Sequence, residues 1–375
     1  MNPLNLYKII FLFLGMYFLL PSVQAIEPRS RAEKKVSKEV NTSLDPSILL
    51  NTKKGQVKFE TWNKSMVKLD ATITAEADSD AEATSGLDKV NVLLEKSGNA
   101  VHILTEFSDE NQGSNFWSSV KFWESNLKLT VDIIIKVPLN ADFDLKHEYG
   151  DLILPNVSNA EVNVKYGSFT CGNISENLYL DLGYSNGHVD NVKECDASIR
   201  YSDVTFNNIN YGRLDISYSK YESEHSEKLD MDSRYSKLNI ASVQKLLLNG
   251  KFDKIDIDKT KEIIINSKYT LIDIDELQES ADIVNSYQST KIHNVSPNFS
   301  SINIEGKYGN CYLNIGENAQ TTFELQTRYG NINLPPNARI DNNDDTNTST
   351  FIVGSIGNGK SSINISNSYG NITID

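Results

Sequence analysis

Gly354, Gly359, Lys360 and Ser361 spell G-x-x-x-x-G-K-S within 352-IVGSIGNGKSSINIS-366, the pattern whose backbone N–H groups and lysine cradle nucleotide phosphates. That chemistry requires a strand before the glycine-rich turn and a helix after it, so that the helix N-terminus faces the phosphates. Here 349-STFIV-353 supplies a strand, but 361-SSINISNSYGNITID-375 alternates apolar and polar residues and continues as strand. The pattern therefore reads as a turn between strands, and no nucleotide is expected to bind.

Other chemistry-bearing residues are dispersed. His102, His147, His188, His225 and His293 lie far apart, and neither H-E-x-x-H nor G-x-S-x-G occurs. No catalytic residue and no cofactor site is expected. One weaker constellation stands out: Asp256 and Asp273 fall on the same outward position of successive repeats, with Asp258 and Asp275 two residues on. Stacked carboxylates repel unless a calcium ion or a lysine intervenes, and Lys254, Lys259 and Lys261 are at hand for the second solution. The three cysteines, Cys171, Cys195 and Cys311, fall on inward repeat positions and read as small buried residues without disulfides.

The elements that position these residues repeat. Segments aligned on an aromatic residue run 149-YGDLIL, 166-YGSFTC, 184-YSNGHV, 201-YSDVTF, 218-YSKYES, 235-YSKLNI, 252-FDKIDI, 269-YTLIDI, 287-YQSTKI, 308-YGNCYL, 329-YGNINL and 369-YGNITI. Successive steps are 17 or 18 residues, then 21, 21 and 40; the last holds an insertion around 341-DNNDDTNTS-349. With the aromatic as position zero, −6, −4, +3 and +5 are mostly apolar, +8 is apolar in many units, −2 is small or polar in most, and +1 is mostly Gly or Ser, a corner signal. Spacing by two on both sides of a corner is strand periodicity and would scatter round a helix. The pattern predicts an all-β, single-chain β-solenoid with 17–21 residues per coil, two short strands and two turns in each. At about 4.8 Å per coil the rod is on the order of 60 Å long. Each coil is stable only between neighbours. The aromatics Tyr149, Tyr166, Tyr184, Tyr201, Tyr218, Tyr235, Phe252, Tyr269, Tyr287, Tyr308, Tyr329 and Tyr369 form a ladder along one edge, with inward and outward orientations both compatible with the pattern.

The rest of the chain divides simply. Residues 1–25 read as an export signal: Lys8, the apolar run 9-IIFLFLGMYFLL-20 and small residues up to Ala25. No later stretch approaches a membrane span. Residues 26–45 are polar and read as a flexible linker, and 46–140 as a strand-rich cap or domain. The solenoid repeats occupy 141–375. Trp62, Trp117 and Trp123 lie in the 46–140 segment, Trp117 within a loop and best placed for exposure. A net charge of −14 disfavours nucleic acid and anionic lipid as partners.

The recurring Y-[GS]-x-φ-x-φ coil behind a signal peptide and a strand-rich start resembles the "putative adhesin" family of exported bacterial proteins over about residues 50–375. The resemblance implies a non-enzymatic β-solenoid of the periplasm, outer-membrane surface or extracellular space, binding a glycan or an envelope protein. Two alternatives stand beside it. β-Helical folds also carry sugar-cleaving enzymes, although steps of 17 or 18 residues leave no length for cleft-building loops. A periplasmic partner of an envelope complex would use an uncapped last coil, 369-YGNITID-375, to pair edge to edge with another chain.

Overall fold

Alternation of apolar and polar residues on either side of each aromatic becomes, in a computed structural model of the chain, a continuous stack of parallel strands. The structure describes residues 29–108, 126–316 and 318–375; the export signal and the loop with Trp117 and Trp123 lie outside them. Through the middle of the solenoid each coil is one strand of 15 or 16 residues, such as Asp203–Ser217, Lys220–Arg234, Lys237–Lys251 and Lys254–Lys268. This corrects the expectation of two short strands and two turns per coil. The buried residues at +5, +8 and +11, such as Ile240, Val243 and Leu246, are three apart, so the alternation slips twice without the chain leaving the sheet, and Lys237↔Lys254 through Lys251↔Lys268 stay in parallel register. The strands end and resume at the aromatic.

Inward slots are filled as the periodicity requires. Leu238, Ile240, Val243, Leu246 and Leu248 of one coil are all buried, and their counterparts above and below form one continuous core. Side chains at a given position lie over one another, so each coil closes the apolar face of the next. The coil that starts at Tyr218 departs from the rule: Tyr221, Ser223 and Ser226 fill its inward slots and put hydroxyls into the core.

The stack begins earlier than the aromatic repeat. Ser47–Lys53 and Val57–Trp62 pair in parallel with Asp142–Glu148 and Asp151–Leu154, so residues 47–62 form the first coil. Lys54 takes the corner in place of an aromatic, with φ of 62° like the rings that follow. The strands Met66–Ala77, Val90–Ser97, Ala100–Phe107 and Lys128–Pro138 are an excursion from this coil. It closes the end of the stack with antiparallel pairs, 66–77 on 128–138 and 90–97 on 100–107. A short helix, Asp80–Leu87, is capped by the Ser79 hydroxyl accepting the Glu82 N–H. Where a flexible linker was expected over 26–45, Ser30–Asn41 is a strand paired antiparallel to Met66–Ala77. Ala32, Val36 and Val40 pack on the core while Arg31, Glu33 and Lys35 face outward, a charged border on an otherwise open sheet edge.

The other end is threaded out of sequence order. Ser361–Ser368 pairs in parallel with Ser301–Lys307 on one side and Thr321–Arg328 on the other. The last coil is thus interleaved between its two predecessors. Ser349–Ile356 then covers the outer edge of Thr321–Arg328 antiparallel, and the fully exposed Arg339–Asp345 borders it in turn. The expectation of an uncapped last coil free for edge-to-edge pairing is therefore overturned: residues 369–375 are internal to the stack. The outermost strand carries Asp341, Asp344 and Asp345, which blunt the exposed edge.

Candidate functional site

The aromatic edge is built at the corners. Every one of the twelve ring residues has positive φ, from 52° at Tyr201 to 71° at Tyr287. A left-handed conformation costs an ordinary L-residue about 1–2 kcal/mol. It also shifts the in–out alternation by one residue: −2 and −4 point in before the corner, +1 and +3 after it. Positions −1, zero and +2 all end up outward. The rings therefore face solvent, 39–54% exposed, which resolves the orientation the sequence pattern left open. They stack in spatial order Tyr149, Tyr166 and onward to Tyr308, then Tyr369, then Tyr329, with centroids 4.4–5.2 Å apart and planes within 20°. That distance is the interstrand spacing of a β-sheet, so the backbone ladder sets the ring ladder.

Behind the rings runs a column of hydroxyls. Ser185, Ser202, Ser219 and Ser236 at +1 are buried. The Ser202 Oγ donates to the Arg200 carbonyl at 2.8 Å and accepts the Ser185 N–H at 3.0 Å. Ser219 and Ser236 repeat the arrangement, and Thr270 continues it. Each hydroxyl satisfies a corner N–H that the strand ladder leaves without a partner. At Phe252 the place is taken by Asp253, whose carboxylate accepts the Ser236 N–H at 2.9 Å, the Lys251 N–H at 2.6 Å and the Ser233 hydroxyl at 3.1 Å. Burial raises the Asp253 carboxyl above the usual range despite these bonds. Where Gly stands at +1 the fit is closer still: a Cβ on Gly167 would lie 1.8 Å from the Gly150 carbonyl oxygen. At the first aromatic corner, buried His147 bridges coils, its Nδ1 2.9 Å from the Thr52 hydroxyl and its Nε2 2.9 Å from the Gly55 carbonyl. The carbonyl can only accept, so Nε2 carries the proton and Nδ1 accepts from Thr52. Burial lowers the His147 pKa and keeps the ring neutral.

Cations flank the rings. Position −1 holds Lys53, Lys165, Arg200, Arg234, Lys251, Lys268, Lys307 and Arg328, against the single carboxylate Glu148. The Nζ groups of Lys251 and Lys307 lie 5.7 and 5.3 Å from the rings of Phe252 and Tyr308, and the Arg328 guanidinium lies 5.4 Å from that of Tyr329. This column went unnoticed in the sequence, although it is legible once every segment is aligned on its aromatic.

The residues singled out for other chemistry are not brought together. Asp256 and Asp273 are register partners on an outward face, as their spacing requires. Lys254 meets Asp256 at 2.7 Å and His293 meets Asp273 at 2.7 Å, while Asp275 accepts from the Asn294 amide at 3.2 Å. Asp258 is exposed. Among the described residues no group of three or more metal-ligating side chains is assembled. The G-x-x-x-x-G-K-S segment is a turn at Gly357–Gly359 between the strands Ser349–Ile356 and Ser361–Ser368, with no helix after it. Cys171, Cys195 and Cys311 are free and buried; burial pushes the thiols of Cys171 and Cys311 up to about 12 and raises that of Cys195 as well. Such thiols are poor nucleophiles. Trp62 is half-buried, its Nε1–H donating to the Met66 carbonyl at 2.8 Å. No helix among the described residues is long and apolar enough to cross a membrane.

Comparison with curated proteins gives no match. Among solved structures, a "putative cell adhesion protein" from Clostridium sporogenes aligns over 92% of this chain and 99% of its own at 10% identity, with a TM-score of 0.20. A "putative lipid binding protein" from Parabacteroides distasonis aligns over 74% and 96% at 14% identity, with a TM-score of 0.35. A "putative adhesin" from Bacteroides fragilis aligns over 91% and 97% at 10% identity, with a TM-score of 0.22. The family model described as Toastrack DUF4097 matches residues 47–375, starting at the strand that opens the first coil and ending with the interleaved last one: the chain belongs to that family.

Proposed function

We propose that this protein is an exported, non-enzymatic binding module of the bacterial cell envelope, adhesin-like in its use of a long repetitive surface. The observation that carries this reading is the half-exposed array of aromatic rings, held outward at a cost in backbone strain at every corner. An exposed aromatic strip of this length is the kind of surface that marks an interaction site. The outward faces are flat columns of side chains fixed by the sheet. Asp256 and Asp273 lie side by side on one such face with their own partners, unlike the two carboxylates of a glycosidase, which face each other across the bond they cleave. The apolar run before Ala25 supports export.

The test is protease treatment of intact cells carrying the tagged protein, compared with lysed cells. Cleavage on intact cells supports adhesion at the surface, and protection until lysis confines the binding role to the periplasm. Recovery of the uncleaved precursor in the cytosolic fraction sinks the proposal.

A further inference from the structure

Many charges on this surface are paired across coils. Lys193 meets Glu176 at 2.6 Å, Lys245 meets Glu262 at 2.9 Å, Lys259 meets Glu276 at 3.1 Å and Lys261 meets Glu279 at 3.1 Å. In the column beside the rings Lys53 meets Glu148 at 3.5 Å and Arg200 meets Asp181 at 3.6 Å, but the other cations break this habit. Acidic residues outnumber basic ones 50 to 36 in the chain, yet the −1 column holds eight cations and one carboxylate. Arg234, Lys251 and Lys268 are direct register neighbours on three successive coils, all exposed, and no carboxylate among the described residues lies within 4 Å of any of them. Like charges stacked at strand spacing destabilise a sheet. Across the rings at +2, Lys220, Lys237 and Lys254 stand on neighbouring coils; Lys220 and Lys254 are paired to Glu222 and Asp256, and Lys237 has no such ion pair among the described residues. Tyr235 and Phe252 are thus bracketed by cations on both sides.

We propose that this strip is a docking track for a linear acidic polysaccharide, one bearing carboxylates or sulfates along its length, laid parallel to the solenoid axis. The inference rests on the binding-module reading and names its ligand class. From Tyr201 to Phe252 the ring centroids repeat every 4.8–5.0 Å, a step comparable with one sugar unit of an extended chain. Ring faces are covered by their neighbours, so edges and phenol hydroxyls are what a ligand meets, and binding is by charge and hydrogen bonds. Covered faces also remove the stacking platforms that single-stranded nucleic acid uses. The next outward column carries Asp181, Asp215 and Asp232, of which, among the described residues, only Asp181 reaches a cation, Arg200 at 3.6 Å. Those carboxylates repel a broad anionic surface such as a membrane and leave a narrow lane that runs across the strands from −1 to +2.

The experiment is affinity electrophoresis of the full exported chain through gels containing polygalacturonate, with neutral dextran and phosphatidylglycerol vesicles as comparators. Retardation by polygalacturonate and not by dextran is expected, weakening with salt as exposed charges are screened. The R234S/K251S/K268S variant should lose affinity about tenfold, at modest gains per exposed ion pair. Serine already occupies this column at Ser217, Ser286 and Ser368, so the fold should tolerate it, and circular dichroism will verify that. K245S/K259S/K261S, with the same change in net charge, should bind like the parent. Equal loss in both variants, no retardation, or capture by the vesicles in place of the polysaccharide overturns the track while leaving a binding module that uses another face. New reducing ends released from the polygalacturonate would instead overturn the non-enzymatic reading itself.

Discussion

Replacing Tyr201 by glycine is expected to leave the protein more stable than replacing it by alanine, an inversion of the usual order within β-structure. Tyr201 has φ of 52° and stacks on Tyr184 at 4.8 Å and on Tyr218 at 5.0 Å. Both substitutions remove both stacks, each worth about 0.5–1.5 kcal/mol beyond area burial, so about 1–3 kcal/mol is lost in either case. Alanine keeps the left-handed penalty that tyrosine already bears. Glycine is relieved of about 1–2 kcal/mol of it and gives back about 0.5–1 kcal/mol in backbone entropy. The net is an advantage for glycine of roughly 0.5–1 kcal/mol. Tyr201→Phe should match the parent, since Phe252 already holds the same position between Tyr235 and Tyr269. Urea unfolding followed by far-UV circular dichroism reads the order, with midpoints compared because a long repeat array need not unfold in two states. Alanine equal to or better than glycine would refute the strained corner, and a phenylalanine variant as weak as alanine would refute stacking as the source of the ring contribution.

Ser202→Ala removes the acceptor of the buried Ser185 N–H and should cost about 1–3 kcal/mol, whereas Ser217→Ala on the outward side of the next corner should fall within about 0.5 kcal/mol of the parent; equal midpoints for the two would discount the hydroxyl column. His147 is buried with its proton affinity lowered, so the unfolded chain takes up a proton first as pH falls. Its contribution is intact above the ordinary histidine value near 6.5 and declines as pH drops from there toward the lowered folded value. His147→Asn, the residue type at the same corner position in Asn285 and Asn367, should remove that share of the acid sensitivity between pH 7.5 and 5, and an unchanged pH profile would count against it. Truncation after Lys360 withdraws a coil that is paired on both sides, so trypsin should cut at Arg328 in the truncated protein but not in the parent. Resistance equal to the parent's would mean that the last coil does not sit between its predecessors.

The solenoid was legible because its coils are chemically alike: a stack buries the same positions each time, so inward Leu238, Ile255 and Ile272 recur at a fixed step and the period appears in one dimension. The cysteines and the stacked aspartates followed from the same register. The first coil escaped notice because Lys54 stands where the aromatic belongs; the corner needs a left-handed residue followed by a small one, and Lys54–Gly55 meets that need without a ring. Ser79 followed by Glu82 was the signal for the missed helix.

What the sequence alone determined about this protein is its local periodicity: strand character, the residues each coil buries, and the position of each corner. Three features belonged to the tertiary structure. The outward direction of the rings depends on where the alternation slips, and positions −2 and +3 permit a slip on either side of the aromatic until the positive φ is known. The strand at Ser30–Asn41 is polar and exists because Met66–Ala77 offers it an edge. The interleaving of the last coil depends on which partners close the ladder, and near-identical repeats such as 308-YGNCYL, 329-YGNINL and 369-YGNITI fit one another equally well by pattern. Their order is decided by the hairpin of 339–356, which pairs back on Thr321–Arg328 and returns the chain to the gap between two coils already in place.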